Sequence, residues 1–384
     1  MAARQHSVAL WAKFTEDSWL PENTHGDQLM TNSRSLRIAA SVAVAATLAA
    51  CSSTATTAPT TAPTTAAATA VVTAAPAAKT YKDMVVGFIQ TGSESGWRAA
   101  NTSSFKETAT ADGIKLNFYD SQNKIENQIT AFNTFIQDPS VNVIVLAAVA
   151  TTGYDDVLKA AKAAGKVVVI EDRRIDADAS LYYTYIGSDF DKEGNESAAA
   201  MCDLMKGSSG FNVVEIGGDQ QASAAIDRAK GFREGIPTCA NGTITILDSQ
   251  NAAGWTPTTG KSIMEAFLKK YPGKINGVYG HNDELAIAAI QAVTAAGLKA
   301  GSGPTDVKVV GVDATADGFK YLISGEMGAD IECNPLLAPQ VYKAALDALN
   351  GVTGQASWTP SEEGKFFAAQ GADALKAILA TRQY

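Results

Sequence analysis

Nine short apolar runs, separated by helix-like stretches, constrain this chain more than any other feature of it. They lie at 84–90, 116–119, 141–149, 167–170, 213–216, 244–247, 277–280, 307–312 and 329–333. Between them, at 125–136, 154–164, 262–271 and 284–296 for example, apolar residues recur near helical spacing. Continuously apolar strands have no face to offer water, so they indicate parallel sheets covered on both sides by helices. Nine such strands are many for one compact sheet, and 384 residues suit about two domains. The expected fold is therefore α/β, with two doubly wound, Rossmann-like parallel-sheet domains.

The residues ahead of this pattern read as an address and a tether. Arg34 and Arg37 precede an apolar stretch at 38–50, too short to cross a bilayer as a helix but right for a signal-peptide core. The stretch ends L-A-A-C, which resembles a bacterial lipobox, so Cys51 is the expected lipidated first residue of the mature protein. Met30 stands just before the basic pair; residues 30–50 are then the signal peptide and 1–29 a non-native upstream extension. From 52 to 80 almost every residue is Ala, Thr, Ser or Pro, with too little large apolar surface to offset ordering entropy. Residues 51–80 are thus the expected tether, holding the body at the outer face of the cytoplasmic membrane through lipid alone. Export also places Cys202 and Cys239 where a disulfide between them can form.

A formal net charge of −9 argues against nucleic acid as a partner, because that needs clustered Lys and Arg. Four cysteines are too few for a disulfide scaffold, and none shows C-x-x-C spacing, so no metal site is implied. Of three histidines only His281 lies in the body, beside Asn282 and Asp283, where a hydrogen-bonded structural role is the ordinary one. No cofactor motif survives inspection. G-W-T-P-T-T-G-K-S at 254–262 has five residues between its glycines where a P-loop has four, and G-S-E-S-G at 92–96 centres on Glu94 where a nucleophile elbow has Ser. G-S-G at 301–303 precedes a strand instead of following one.

Ligands of doubly wound sheets sit beyond the carboxyl ends of the strands. Those ends collect Trp97 and Arg98, Asp172 and Arg173, Trp255, Asn282 and Asp283, and Asp313, with Arg228 on the helix after the 213–216 run. Sugar hydroxyls both donate and accept, and planar bidentate groups such as Asp, Asn and Arg hold them best. An indole covers the apolar face of the ring. Each acid has a competing job as the cap of the next helix. Three guanidinium groups among acids are harder to dismiss, since they form a costly arrangement without a polar ligand. The acids are numerous enough for the paired carboxylates of a glycosidase, but the arginines are expected to hold them ionised and unfit as proton donors.

From about residue 82 to 383 the chain resembles the type I periplasmic sugar-binding proteins, the ribose- and galactose-binding group of ABC importers, and within it the galactofuranose-binding branch. The motifs, in the family's order, are G-S-E-S-G-W-R at 92–98, E-N-Q at 126–128, D-R at 172–173, A-I-D-R at 225–228, H-N-D at 281–283 and V-D at 312–313. The resemblance implies sugar contacts from Glu94, Trp97, Arg98, Asp172 and Arg173 in the first domain, and from Arg228, Trp255, Asn282, Asp283 and Asp313 in the second. It implies three crossings, near 187–188, 333–334 and 357, hence discontinuous domains of 81–187 plus 334–356 and 188–333 plus 357–384. Glu332-Cys333-Asn334 departs from the glutamine that ribose binders carry at a hinge. The implied protein is a monomeric, non-enzymatic capture protein for a galactose, galactofuranose or arabinose type of monosaccharide, serving an ABC permease. A sugar-sensing lipoprotein reporting to a membrane receptor shares this clam-shell, and an exported glycoside-processing enzyme is a third reading.

Overall fold

Residue alternation in the first strands decides the architecture. The computed structural model describes residues 77–384 apart from Glu94 and Ser209; the expected signal peptide, Cys51 and all but the last four residues of the expected tether lie outside the described residues. The first lobe contains β1 (Val85–Gln90), α1 (Gly96–Asp112), β2 (Lys115–Asp120), α2 (Ile125–Gln137), β3 (Val143–Leu146), α3 (Asp155–Ala163), β4 (Val167–Glu171) and β5 (Thr184–Gly187). Val86, Phe88, Val143 and Val145 share one core with Phe105, Val341 and Tyr342, whereas Ile89, Ile144 and Leu146 share another with Phe132, Phe135 and Leu158. Neighbouring strand residues point to opposite faces, and both faces here are apolar, so helices must cover both.

The second lobe repeats the plan with α4 (Phe190–Leu204), β6 (Gly210–Gly217), α5 (Ser223–Gly235), β7 (Thr243–Asn251), α6 (Pro257–Lys270), β8 (Gly277–Gly280), α7 (Asp283–Ala295), β9 (Lys308–Asp313), α8 (Ala316–Ser324) and β10 (Ala329–Glu332). The chain then returns through α9 (Ala338–Leu349) and β11 (Trp358–Pro360) to the first lobe, and through β12 (Lys365–Phe367) and α10 (Ala372–Leu379) to the second. Strand orders are β11-β5-β4-β3-β1-β2 and β12-β10-β9-β8-β6-β7. All pairings are parallel except β10 with β12. In both sheets the strand order reverses at the first strand of the lobe, the crevice where such folds bind ligands.

The third crossing departs from expectation. Trp358 pairs with Tyr185 in β11–β5, so the chain leaves the first sheet at 361–364 and not at 357. The cause is Trp358 itself, whose indole N–H donates to the Gly187 carbonyl at 3.0 Å while its ring stacks on Tyr185. A disulfide joins Cys202 on α4 to Cys239 after α5. Between these helices, a Cβ on Gly231 would lie 1.9 Å from the Asp191 carbonyl and one on Gly194 2.3 Å from the Arg228 carbonyl. Only glycine permits that approach, and it brings Glu193 of α4 against Arg228 of α5. Among the described residues, no helix is long and apolar enough to cross a membrane.

Candidate functional site

Loops at the carboxyl ends of both sheets converge on one narrow cavity of about 330 Å³, open solvent at its mouth included. Its walls are Ser95, Trp97, Arg98, Asp172 and Arg173 from the first lobe, and Phe190, Ala224, Arg228, Trp255, Asn282, Asp313 and Cys333 from the second lobe and the second crossing. Ser95 caps α1 by accepting from the Arg98 backbone N–H, which places Trp97 and Arg98 on the first turn of α1. Eight of the ten residues expected at the site therefore meet at one place. Glu94 lies outside the described residues. Asp283 is not among the residues walling the cavity: its carboxylate accepts from the Thr315 N–H at 2.8 Å and hydroxyl at 2.6 Å, holding the turn after β9. Its acidity is nevertheless perturbed, pushed up to about 6 by burial.

Each lobe contributes an acid–guanidinium pair and an indole. In the first, Arg98 bonds Asp172 at 2.6 Å and lies over the Trp97 ring at 4.6 Å. In the second, Arg228 bonds Glu193 at 2.6 Å, reaches Asp313 at 3.6 Å and donates to the His281 carbonyl at 2.6 Å. Arg173 of the first lobe faces the Trp255 ring of the second at 5.5 Å. All these side chains are buried, where charge-assisted hydrogen bonds are at their strongest. Trp255 Nε1 is a buried donor with no hydrogen-bond partner among the described residues, which is the state a polar ligand corrects.

Two electrostatic details qualify the reading from sequence. Burial pushes the Asp313 carboxyl well above the usual range, Arg228 offsets that only in part, and Asp283, Glu284 and Glu193 add to the rise. Burial also raises Glu171, directly behind Asp172, to about 8, with the Asp172 charge as the next contribution. Asn101 donates to this carboxyl at 3.2 Å. His281 has the structural role expected of it: its Nε2 is 2.9 Å from Glu215 Oε1, and burial keeps its pKa below the ordinary value. Gln128 of the E-N-Q motif is likewise scaffold, donating to the Ala147 carbonyl and accepting from the Val149 N–H.

Backbone strain is concentrated here. Asp172, Trp255 and Asp313 adopt φ of 58°, 55° and 122°, a region costing non-glycine residues of order 1–3 kcal/mol each and found where surrounding structure enforces it. Gly218 makes room for one of them, since a Cβ there would lie 2.2 Å from the Trp255 ring.

Phe190 and Glu193 escaped the reading from sequence because they sit on α4, after the first crossing, and not at a strand end. Asp189 caps that helix, and with Phe190 at its first position Glu193 follows three residues later on the same face. The available signal was the need of a buried Arg228 for an acid, but Asp189, Asp191, Glu193 and Glu196 all offered one. Asn282 lines the cavity, yet its side-chain oxygen caps α7 at Leu285 and its amide donates to Glu284, the competing role that strand-end polar residues have.

The lobes touch around this cavity. Arg174 makes two bonds to Asp227, at 2.8 and 2.9 Å, the Gly96 N–H donates to Glu284 at 2.8 Å, Asn123 donates to Asp219 at 2.8 Å, and the Thr151 N–H donates to the Gln221 carbonyl at 3.0 Å. The Trp97 indole N–H reaches the Cys333 carbonyl at 2.6 Å.

Known proteins share both sequence and architecture. The galactofuranose-binding protein YtfQ of Escherichia coli K12 is 42% identical over 264 residues, which are 68% of this chain and 80% of the relative. A Mycobacterium smegmatis protein solved in complex with β-D-fucofuranose is 40% identical with a TM-score of 0.72, over 78% of this chain and 95% of that one. The binding component of the arabinose ABC transporter of Shewanella sp. ANA-3, bound to α- and β-L-arabinofuranose, is 37% identical with a TM-score of 0.71, over 78% and 99%. The family model described as periplasmic binding protein domain matches residues 86–353, and with both doubly wound lobes and a cavity between them in place, the chain belongs to the periplasmic binding protein family.

Proposed function

We propose that this protein is an exported solute-binding protein that captures one monosaccharide of the galactose, galactofuranose or arabinose type between its lobes and delivers it to an ABC importer. The observation that carries the reading is the matched provision from the two lobes: Arg98–Asp172 with Trp97 on one wall, Arg228–Asp313 with Trp255 on the other. Planar acid–guanidinium pairs serve vicinal hydroxyls, and the indoles serve the C–H faces of the ring. The sugars named for the similar proteins support the same ligand class. The residues that bind it are Trp97, Arg98, Asp172, Arg173, Arg228, Trp255, Asn282 and Asp313, together with Glu94 of the G-S-E-S-G-W-R motif.

Binding proceeds by closure. The sugar meets one wall of the open form, and the second lobe completes its hydrogen bonds, so the ligand favours the state in which both walls reach it. The permease then distinguishes loaded from empty protein by the closed shape. Nothing in this sequence of events breaks a bond in the sugar, and the protein acts as a non-enzymatic monomer held at the cell envelope through lipidated Cys51 and the tether.

Thermal unfolding against a panel of monosaccharides tests the reading. A ligand at 100 times its Kd adds about 2.7 kcal/mol to stability, a shift of a few degrees for a body of this size. A shift with galactose or arabinose, abolished by Asp172→Ala, is the expected result. Equal melting with every sugar of the panel refutes the sugar class and leaves another small molecule for the cleft.

A further inference from the structure

A second, larger cavity of about 1280 Å³, open solvent included, lies beside the first and third crossings. Both lobes wall it, with Arg174 and Tyr182 on one side and Asp189, Asp191 and Asp227 on the other, and Trp358 enters from the third crossing. Trp358 points to a ligand. It is 38% exposed, yet it is held: its N–H bonds the Gly187 carbonyl at 3.0 Å, and its ring stacks on Tyr185 at 6.2 Å and 14°. A fixed indole with open surface in a concave wall is a stacking platform.

The charges around it largely cancel. Arg174 pairs with Asp227 at 2.8 Å and Lys230 with Asp191 at 2.7 Å, so no net positive potential remains to attract an anion. Acceptors do remain. The Asp191 side chain is 38% exposed, with Oδ2 accepting from Lys230 and keeping a second lone pair, and Asp189 uses only Oδ1 to cap α4. Donors beside acceptors, around an aromatic platform, are what a neutral polyhydroxy ring requires.

We propose that this cavity is a second carbohydrate site, in which a neutral sugar ring lies on Trp358 and bonds its hydroxyls to Asp191 and Asp189, bridging the two lobes. The proposal does not depend on what the first cavity binds, although Phe190 lines both. An occupant of the second cavity holds groups of both lobes together and so favours the closed state.

Saturation-transfer NMR with D-galactose and with lactose as probes tests it, using the full chain with Asp172→Ala to disable the first cavity. Transfer to at least one probe persists in that variant. It falls at least fivefold when either Trp358→Ala or Asp191→Ala is added, the latter guarding against a folding defect at the third crossing. Absence of transfer in Asp172→Ala, or transfer unchanged by both added substitutions, overturns the proposal. Loss of binding at the first cavity is read separately, from the difference between the unaltered chain and Asp172→Ala.

Discussion

Replacing Arg228 with Met removes the positive charge that the structure places against Glu193 at 2.6 Å and Asp313 at 3.6 Å. All three side chains are at least nine-tenths buried, so solvent screening offers little relief. Breaking a buried pair by deleting one partner costs about 3–5 kcal/mol, because the other charge stays behind without compensation. The cost has a pH signature. Burial already raises both carboxyls above their ordinary values while Arg228 pulls them back, so without Arg228 they rise further. A carboxyl whose folded pKa exceeds its unfolded one contributes stability at low pH that is lost as pH climbs through the folded value. The penalty of Arg228→Met should therefore be larger at pH 8 than at pH 5. Adding Glu193→Gln removes one stranded carboxylate and should recover about half of the loss at pH 8. Urea unfolding midpoints at the two pH values read all three effects. A loss under about 0.5 kcal/mol, typical of a surface substitution, or one of equal size at both pH values, refutes the buried-pair account.

Three further outcomes follow from the same geometry. Gly218→Ala should weaken sugar binding at least tenfold in a calorimetric titration, because its Cβ would displace the Trp255 ring, now 2.2 Å away, at an overpacking cost of about 1–3 kcal/mol. Glu171→Gln should flatten the pH dependence of stability: a carboxyl raised to about 8 contributes fully below its ordinary 4.5 and loses up to about 1.4 kcal/mol per pH unit on the way to 8, a slope that urea melts at pH 5, 6.5 and 8 would show in the unaltered chain and not in the variant. Cys202→Ser with Cys239→Ser opens a crosslink across a sequence separation of 37, and the chain-entropy model sets the loss near 4 kcal/mol, seen as a lower unfolding midpoint that reductant no longer changes.

The parts of the fold legible in sequence are those where burial is continuous. All nine apolar runs became strands: seven are buried along most of their length and carry an apolar signature on both faces, while β2 and β7, at the sheet edges, are only partly covered and are legible from their shorter apolar stretches. The three strands not anticipated lack that signature. β5 is four residues carrying Thr and Tyr, and β11 and β12 are three residues each at sheet edges, the first containing Pro360 and the second Lys365. Their pairing is decided by tertiary contacts, and the misplaced third crossing follows directly, since only the Trp358 contacts reveal that β11 stays with the first sheet.

The site divides in the same way. Strand-end residues such as Asp172, Trp255 and Asp313 are found by topology, because the doubly wound fold sends every strand end to one side. Topology does not tell which strand-end acid turns inward, and Asp283, adjacent to Asn282, instead holds Thr315. Nor does it find Glu193, whose importance arises from the close approach of α4 and α5 at Gly194 and Gly231. That approach is written in two glycines whose meaning appears only when the helices are seen together.

The central claim, that a single sugar is held by groups of both lobes at once, is tested most directly by calorimetric titration of L-arabinose and D-galactose into three proteins: the unaltered chain, Arg98→Ala from the first lobe and Arg228→Ala from the second. Tight binding of at least one of these sugars, weakened at least tenfold by each substitution alone, is the predicted result. Binding that survives either substitution unchanged would place the ligand on one lobe only and contradict capture by closure.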